Sequence, residues 1–163
     1  MNIAAKLIVV LGLVAIGAFA VVLALPHRPP TEARVTTLDG RTVPIAELRG
    51  KVTVVNFWAT WCGVCIREMP RIVEAHRRYA PRGYETVAVA VRDRKESVAE
   101  FARQHALPFK VALDTGEASE RFGNVRITPT TFVIGRDGRV IRRFVGEPDW
   151  KQFDAVVEKA LTD

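Results

Sequence analysis

Hydrophobic residues follow three patterns along this chain, and each pattern predicts a different kind of element. One apolar stretch, Leu7–Leu25, is long and carries no charge. Two shorter and mostly apolar stretches, Val52–Trp58 and Tyr84–Val91, have the length expected of strands that are buried on both faces. Elsewhere, apolar residues recur every three or four positions, as they do on amphipathic helices. Strands that alternate with helices predict an α/β domain.

The helical spacing marks three main segments. The first begins at Cys65 and ends before Pro81, and we expect Pro70 to interrupt and kink it. The second covers Val98–His105 and is followed by a proline. The last begins at Asp149, where a glutamine three positions later gives a variant of the capping box.

The other elements are short. Asp39-Gly40 and Arg136–Gly138 each separate two runs of strand-forming residues, which predicts two hairpins. Lys110–Leu113 is a further strand, and Ala118–Phe122 is a short helix that ends at a glycine. Together these elements predict a central mixed β-sheet that is flanked by helices on both faces.

The N-terminal stretch predicts a membrane segment over residues 1–25. As a helix, Leu7–Leu25 would extend about 28 Å, close to the thickness of a bilayer core. A cleaved signal peptide is the alternative, because Ala18–Ala20 has the small-x-small pattern of a cleavage site. The apolar run continues beyond that site, which favours an uncleaved transmembrane anchor. Either interpretation takes the rest of the chain out of the cytoplasm, with residues 26–33 as a proline-rich linker and residues 34–163 as one domain.

Composition narrows the chemistry. The chain has 24 basic and 18 acidic residues, a net charge of +6, but the basic residues are scattered in small groups. No nucleic-acid partner is therefore expected. The chain contains only two cysteines, Cys62 and Cys65, whereas an exported domain stabilised by disulfides would carry more of them, distributed through its sequence. Closing so small a loop adds little stability, so the pair is better suited to reversible oxidation.

The sequence Trp-Cys-Gly-Val-Cys at residues 61–65 is the strongest candidate site. It lies where a predicted strand gives way to a helix, which is typical of a dithiol/disulfide redox pair. Cys62 would then lie at a helix N-terminus, where unpaired N–H groups and the helix dipole favour the thiolate. The thiolate is the nucleophile of disulfide exchange, and Cys65 would be within reach to resolve a mixed disulfide. A metal site on this pair would need two further ligands, so we expect no metal and no cofactor.

Three segments together resemble one known family. They are Asn56–Cys65, Glu68–Pro70 and Thr128–Phe132. On these residues the chain resembles the thioredoxin superfamily, and within it the membrane-anchored, extracytoplasmic thiol–disulfide oxidoreductases of the TlpA/ResA type. The resemblance covers about residues 34–161 and implies a thioredoxin-like fold.

The resemblance implies roles for individual residues. Cys62 would be the exposed attacking thiol and Cys65 the buried resolving thiol. Pro129 would follow a cis peptide bond near the cysteines, and Thr128 would offer its backbone to an extended substrate segment. The aspartate that cytosolic thioredoxins bury in the preceding strand is replaced here by Asn56.

Further site residues complete this expectation. Trp61 and Val64 would form a flat apolar surface with the loop at Pro129. Family members of this type carry a glutamate where this chain has Glu68. We hypothesise that Glu68 is partly desolvated, has a raised pKa and accepts the proton of Cys65 as a mixed disulfide resolves. The alternative is an ordinary glutamate in the first turns of a helix.

The function that the sequence predicts is a membrane-tethered reductase. It would be a single-pass protein of the bacterial inner membrane, with its catalytic domain in the periplasm or another extracytoplasmic space. It would pass electrons from a thiol-transfer donor in the membrane to disulfides of exported proteins, among them the apo-forms of c-type cytochromes. Two alternatives stay open: a disulfide-forming oxidase or isomerase on the same fold, and a redox-inactive binding or chaperone module.

Overall fold

A seven-stranded β-sheet forms the centre of the computed structural model, which describes residues 30–163. Its strands in chain order are β1 (Arg34–Thr37), β2 (Thr42–Pro44), β3 (Val52–Trp58), β4 (Tyr84–Ala90), β5 (Lys110–Leu113), β6 (Thr130–Ile134) and β7 (Val140–Val145). The order across the sheet is β2-β1-β5-β4-β3-β6-β7. The neighbours β3, β4 and β5 are parallel, and all other pairs are antiparallel. The predicted mixed sheet is therefore confirmed.

Helices cover both faces of this sheet. They are α1 (Gly63–Tyr79), α2 (Lys95–Gln104), α3 (Glu117–Arg121) and α4 (Trp150–Thr162). The connections from β3 through β4 to β5 step in one direction, so their right-handed crossovers place α1 and α2 on the same face. Side chains of α4 pack beside α1 there, while α3 packs on the opposite face. The hairpins, the short helix and the C-terminal helix all lie where the sequence predicts them.

Strand β3 contributes to the core on both faces because all seven of its residues are buried. Phe57 packs edge-on against Phe122 and Phe132 on the α3 face, with ring centroids 5.3 Å and 5.9 Å away. Trp58 points to the other face, where its ring centroid lies 5.0 Å from that of Phe101 in α2. A strand packed in this way gives the residues that follow it a rigid starting point.

The prediction that Pro70 interrupts α1 is wrong. The helix runs unbroken from Gly63 to Tyr79 with Pro70 in its interior. Proline removes one backbone donor, but this residue is exposed, so water can reach the helix surface around it. The buried stripe of α1, which includes Ile72 and Tyr79, continues on both sides of Pro70 and holds the helix against the sheet.

The predicted anchor over residues 1–25, and the part of the linker before Pro30, lie outside the described residues. Between residues 30 and 163, no helix combines the length and the apolar character that a bilayer crossing requires.

Strands β3 and β4 end at the same edge of the sheet, since they are parallel and Trp58 is aligned with Ala90. The segments that follow them, residues 59–62 and 91–94, therefore lie side by side. In an open α/β sheet, the carboxyl ends of parallel strands are a common position for a functional site.

Candidate functional site

Cys62 is the N-cap residue of α1. Its backbone is extended, and its Sγ accepts a hydrogen bond from the backbone N–H of Cys65 at 3.3 Å. A turn closed by the bond from the Cys62 N–H to the carbonyl of Ala59 links this cap to the end of β3. The sulfur therefore occupies the position where helix N–H groups and the helix dipole stabilise negative charge.

The two cysteines are joined by a disulfide, with their Cα atoms 5.3 Å apart. Cys65 is completely buried, whereas 8% of the surface of Cys62 is exposed. Cys62 is therefore the sulfur that an approaching thiol or disulfide can reach first.

The loop before β6 lies directly against the disulfide. Its Thr128-Pro129 peptide bond is cis, and the carbonyl oxygen of Thr128 lies 3.7 Å from Cys62 Sγ. Two hydrogen bonds hold the loop: Thr130 Oγ1 donates to the carbonyl of Ile127 at 2.7 Å, and the N–H of Gly146 donates to the carbonyl of Pro129 at 2.8 Å. Pro129 is buried and Thr128 is half-buried, so Thr128 is the more accessible of the two.

Glu68 is an acid in the protein interior. It lies one helical turn beyond Cys65 on α1 and is only 1% exposed. Asn56 Nδ2 donates to Glu68 Oε1 at 3.0 Å and to Thr131 Oγ1 at 2.9 Å, which connects β3, α1 and β6. Among the described residues, Glu68 Oε2 has no hydrogen-bond partner.

Burial changes the acidity of Glu68. Desolvation raises its pKa from the ordinary 4.5 to about 7, while the hydrogen bond from Asn56 lowers it and the charge of Glu147 raises it further. The side chain can therefore gain or lose a proton near neutral pH, as a general acid or base must.

Trp61 and Val64 lie on the surface around the sulfur. Trp61 is 58% exposed, and its indole N–H donates to the carbonyl of Arg92 at 3.2 Å. The guanidinium of Arg92 lies over the indole, 5.8 Å from the ring centroid. Val64 is half-buried in the first turn of α1.

The structure thus brings all seven candidate residues of the sequence analysis to one edge of the sheet, in the segment between β3 and α1, on α1 and in the loop before β6. Sequence reasoning misses Arg92, which belongs to the same cluster. The signal that could have found it is its position, because it follows β4 at the edge where β3 also ends. Within residues 30–163, no group of three His, Cys, Asp or Glu side chains is placed to hold a metal ion.

The raised pKa of Glu68 makes stability depend on pH. An acid whose pKa is 4.5 when unfolded and about 7 when folded binds more protons in the folded state between these values, so stability falls as pH rises through that range. We expect the free energy of unfolding of the oxidised protein to lose about 2 to 3 kcal/mol between pH 5 and pH 8 relative to Glu68→Gln. Urea titrations at several pH values measure this difference.

Glu74→Gln is the matched control, since Glu74 is an exposed glutamate on the same helix. The free energy of unfolding of this variant should change with pH as that of the unsubstituted protein does. Parallel curves for Glu68→Gln and the unsubstituted protein would contradict the raised pKa.

Comparison with known proteins agrees with this geometry. The chain matches the Redoxin family over residues 27–161. It is 34% identical over 125 residues to a thiol-disulfide oxidoreductase ResA of Bacillus cereus, an alignment that covers 77% of this chain and 72% of that protein. The corresponding protein of Bacillus subtilis (strain 168) is 33% identical over 108 residues, covering 66% of this chain and 60% of that one.

A solved structure supports the same assignment. The fold is similar to the crystal structure of a thiol:disulfide interchange protein of the thioredoxin family from Chlorobium tepidum TLS, with a TM-score of 0.71 and 34% identity. That similarity covers 82% of this chain and 97% of the other. The thioredoxin-like fold, the Cys62–Cys65 pair and the family match lead to one conclusion: this chain belongs to the Redoxin family and is a thiol–disulfide oxidoreductase of the ResA type.

Proposed function

We propose that this chain is a membrane-tethered reductant that opens disulfides in exported proteins. The observation that carries the proposal is the Cys62–Cys65 pair at the N-terminus of α1, with a buried acid one turn below it. An ionised Glu68 disfavours a thiolate on the neighbouring Cys65. The reduced form then gains no stability from ionisation of Cys65, so the pair gives up electrons more readily than one whose second thiolate is stabilised.

The reaction begins with the reduced form. The thiolate of Cys62 attacks one sulfur of a client disulfide, and the other client sulfur leaves as a thiolate that takes a proton from water. A mixed disulfide between Cys62 and the client results. The backbone of Thr128, whose carbonyl lies 3.7 Å from Cys62 Sγ, would align an extended client segment beside it.

Cys65 then resolves the mixed disulfide. Its thiol gives its proton to the carboxylate of Glu68 and attacks Cys62 Sγ, and the second client sulfur leaves as a thiolate. The client has gained two electrons, and the protein is left with the Cys62–Cys65 disulfide that the structure contains. A thiol-transfer donor in the membrane would return it to the dithiol.

The location is proposed from the N-terminal sequence. Residues 1–25 would anchor the chain in the bacterial inner membrane, and residues 26–33 would hold the domain of residues 34–163 close to the outer surface of that membrane. The charge-free run Leu7–Leu25 supports this location. Clients would then be exported proteins, and the apo-forms of c-type cytochromes are candidates because their haem-attachment cysteines must be reduced.

Trapping tests the proposal directly. A Cys65→Ser variant forms the mixed disulfide but lacks the thiol that resolves it, so complexes through Cys62 should accumulate in cells. Mass spectrometry after alkylation identifies the captured proteins, and Cys62→Ser is the control that should capture none. Equal capture by the two variants, or the absence of any adduct with Cys65→Ser, would contradict the proposed chemistry. A Cys62→Ser protein that keeps its cellular function would favour a binding or chaperone role.

The part played by Glu68 has its own test. We expect Glu68→Gln to slow the resolution step about a hundredfold at pH 7, because Cys65 loses its proton acceptor. In the unsubstituted protein this rate should rise with pH through about 7, as Glu68 ionises, and the rise should be absent from the variant. Stopped-flow measurement of client thiol release gives the rate, with Glu74→Gln as control. An unchanged rate and pH profile would remove Glu68 from the mechanism.

A further inference from the structure

Two large apolar side chains stand exposed near Cys62. Trp61 precedes the cysteine and is 58% exposed, and Ile127 is 60% exposed. Ile127 is adjacent to Thr128, whose carbonyl oxygen lies 3.7 Å from Cys62 Sγ. Exposed apolar groups close to a reactive atom are typical of a contact surface.

Arg92 connects the segments that carry these two residues. Its carbonyl accepts the indole N–H of Trp61, and its guanidinium lies 5.8 Å from the centroid of that ring. At its far end, Nη2 of Arg92 donates to the carbonyl of Arg126 at 3.1 Å, and Arg126 precedes Ile127. The contacts from Trp61 through Arg92 to Ile127 and Thr128 therefore form a continuous row beside the sulfur.

The loop that carries Arg92 is fixed to the site. Arg92 has a φ of 51°, which is uncommon for a residue other than glycine. The residues on either side hold it: the N–H of Val91 donates to the carbonyl of Trp58 at 2.9 Å, and Asp93 Oδ2 accepts the N–H of Thr60 at 2.6 Å. Its backbone is thus attached to the segment that precedes the cysteines.

Three exposed arginines near the disulfide lack partners of opposite sign. Arg92, Arg126 and Arg67 are exposed, and across residues 30–163 none of them has a carboxylate oxygen within 4.0 Å. Arg67 is close to the two cysteines, because its guanidinium lies beside Gly63, the residue after Cys62. Nη1 of Arg67 is 3.7 Å from the position that a Cβ atom on Gly63 would occupy. Two acids lie nearby: Asp93 is half-buried and its oxygens accept backbone N–H groups, and Glu147 is exposed beyond the loop at Pro129, where it accepts the indole N–H of Trp150.

We propose that this rim, formed by Trp61, Ile127, Arg67, Arg92 and Arg126, selects client segments that carry acidic side chains within a few residues of the reacting cysteine. The inference rests on the proposed function and names the class of client that the site prefers. Guanidinium groups bind carboxylates in paired hydrogen bonds, and the apolar side chains cover the client backbone beside them. Exposed ion pairs are weak, so the effect is a preference among clients and a faster encounter with acidic ones.

Three peptides test this preference. Each contains the same internal disulfide and differs only in the residues two positions before and after one cysteine, which are Glu, Gln or Lys. The reduced full-length protein in a neutral detergent reduces each peptide, and every rate is divided by the rate with dithiothreitol, a small reductant that also attacks as a thiolate but has no rim of basic side chains. At low salt the Glu peptide should react about tenfold faster than the Lys peptide, with the Gln peptide between them. In about 0.5 M salt the three rates should converge.

Variants assign the preference to the rim. Arg92→Gln should lower the Glu-to-Lys ratio about threefold, and Arg92→Lys, which keeps the charge, should retain most of it. The matched control is Arg82→Gln, because Arg82 is also exposed and also lies 5.8 Å from an aromatic centroid, that of Tyr79 at the other end of α1. It should leave the ratio unchanged.

Equal normalised rates for the three peptides would overturn this inference while leaving the reductase function intact. A ratio that Arg92→Gln does not move, or that Arg92→Lys lowers as much as Arg92→Gln does, would also overturn it. Failure to reduce any of the peptides would overturn both the inference and the proposed function.

Discussion

The position of one sulfur atom at the N-terminus of a helix is the constraint on which the rest of the site depends. Cys62 Sγ accepts the N–H of Cys65, and the helix dipole adds to the stabilisation of negative charge there. Strand β3, buried along its full length, ends four residues before the cysteine and fixes where this cap lies relative to the sheet. The same cap leaves Cys62 slightly exposed and Cys65 fully buried, which makes the two sulfurs chemically unequal.

A buried polar cluster supports this arrangement from below. Asn56 links Thr131 on β6 with Glu68 on α1, so the strands and the helix that surround the disulfide share one set of hydrogen bonds. Within the described part of the chain, Asn56 Oδ1 and Glu68 Oε2 lack partners, which is costly inside a protein. This cluster lowers the stability of the fold and lies directly beneath the redox pair. A role in proton transfer therefore fits it better than a role in folding.

Much of the fold follows from local pattern. The strand Val52–Trp58 is predicted correctly because burial on both faces leaves a clear signature in composition. The short strand Lys110–Leu113 is also predicted correctly. Features that depend on tertiary contacts are not predicted by such local patterns. The pairing of β1 with β5 depends on contacts between segments far apart in the chain, and α1 continues through Pro70 because its packed stripe outweighs one lost hydrogen bond.

The residues of the site also differ in whether the sequence alone identifies them. The spacing of the cysteines and their position after β3 identify the redox pair, whereas family resemblance identifies Thr128 and Pro129. The hydrogen bond from Asn56 to Glu68 requires the packing of α1 on β3, and Arg92 enters the site only because β3 and β4 are parallel neighbours. The burial of Glu68 agrees with the hypothesis of a desolvated acid. The hypothesis expects partial desolvation, whereas the side chain is almost completely buried. Its acceptance of the Cys65 proton stays a prediction.

The most direct measurement is the pH dependence of alkylation at Cys62. In a Cys65→Ser protein, Cys62 is the only cysteine, and its reaction rate with iodoacetamide follows the fraction of thiolate. A helix N-terminus that stabilises this thiolate predicts a midpoint at least one unit below the value of about 8.5 for a free cysteine. A midpoint at or above that value, with no gain in reactivity at neutral pH over an unstructured cysteine peptide, would contradict the account.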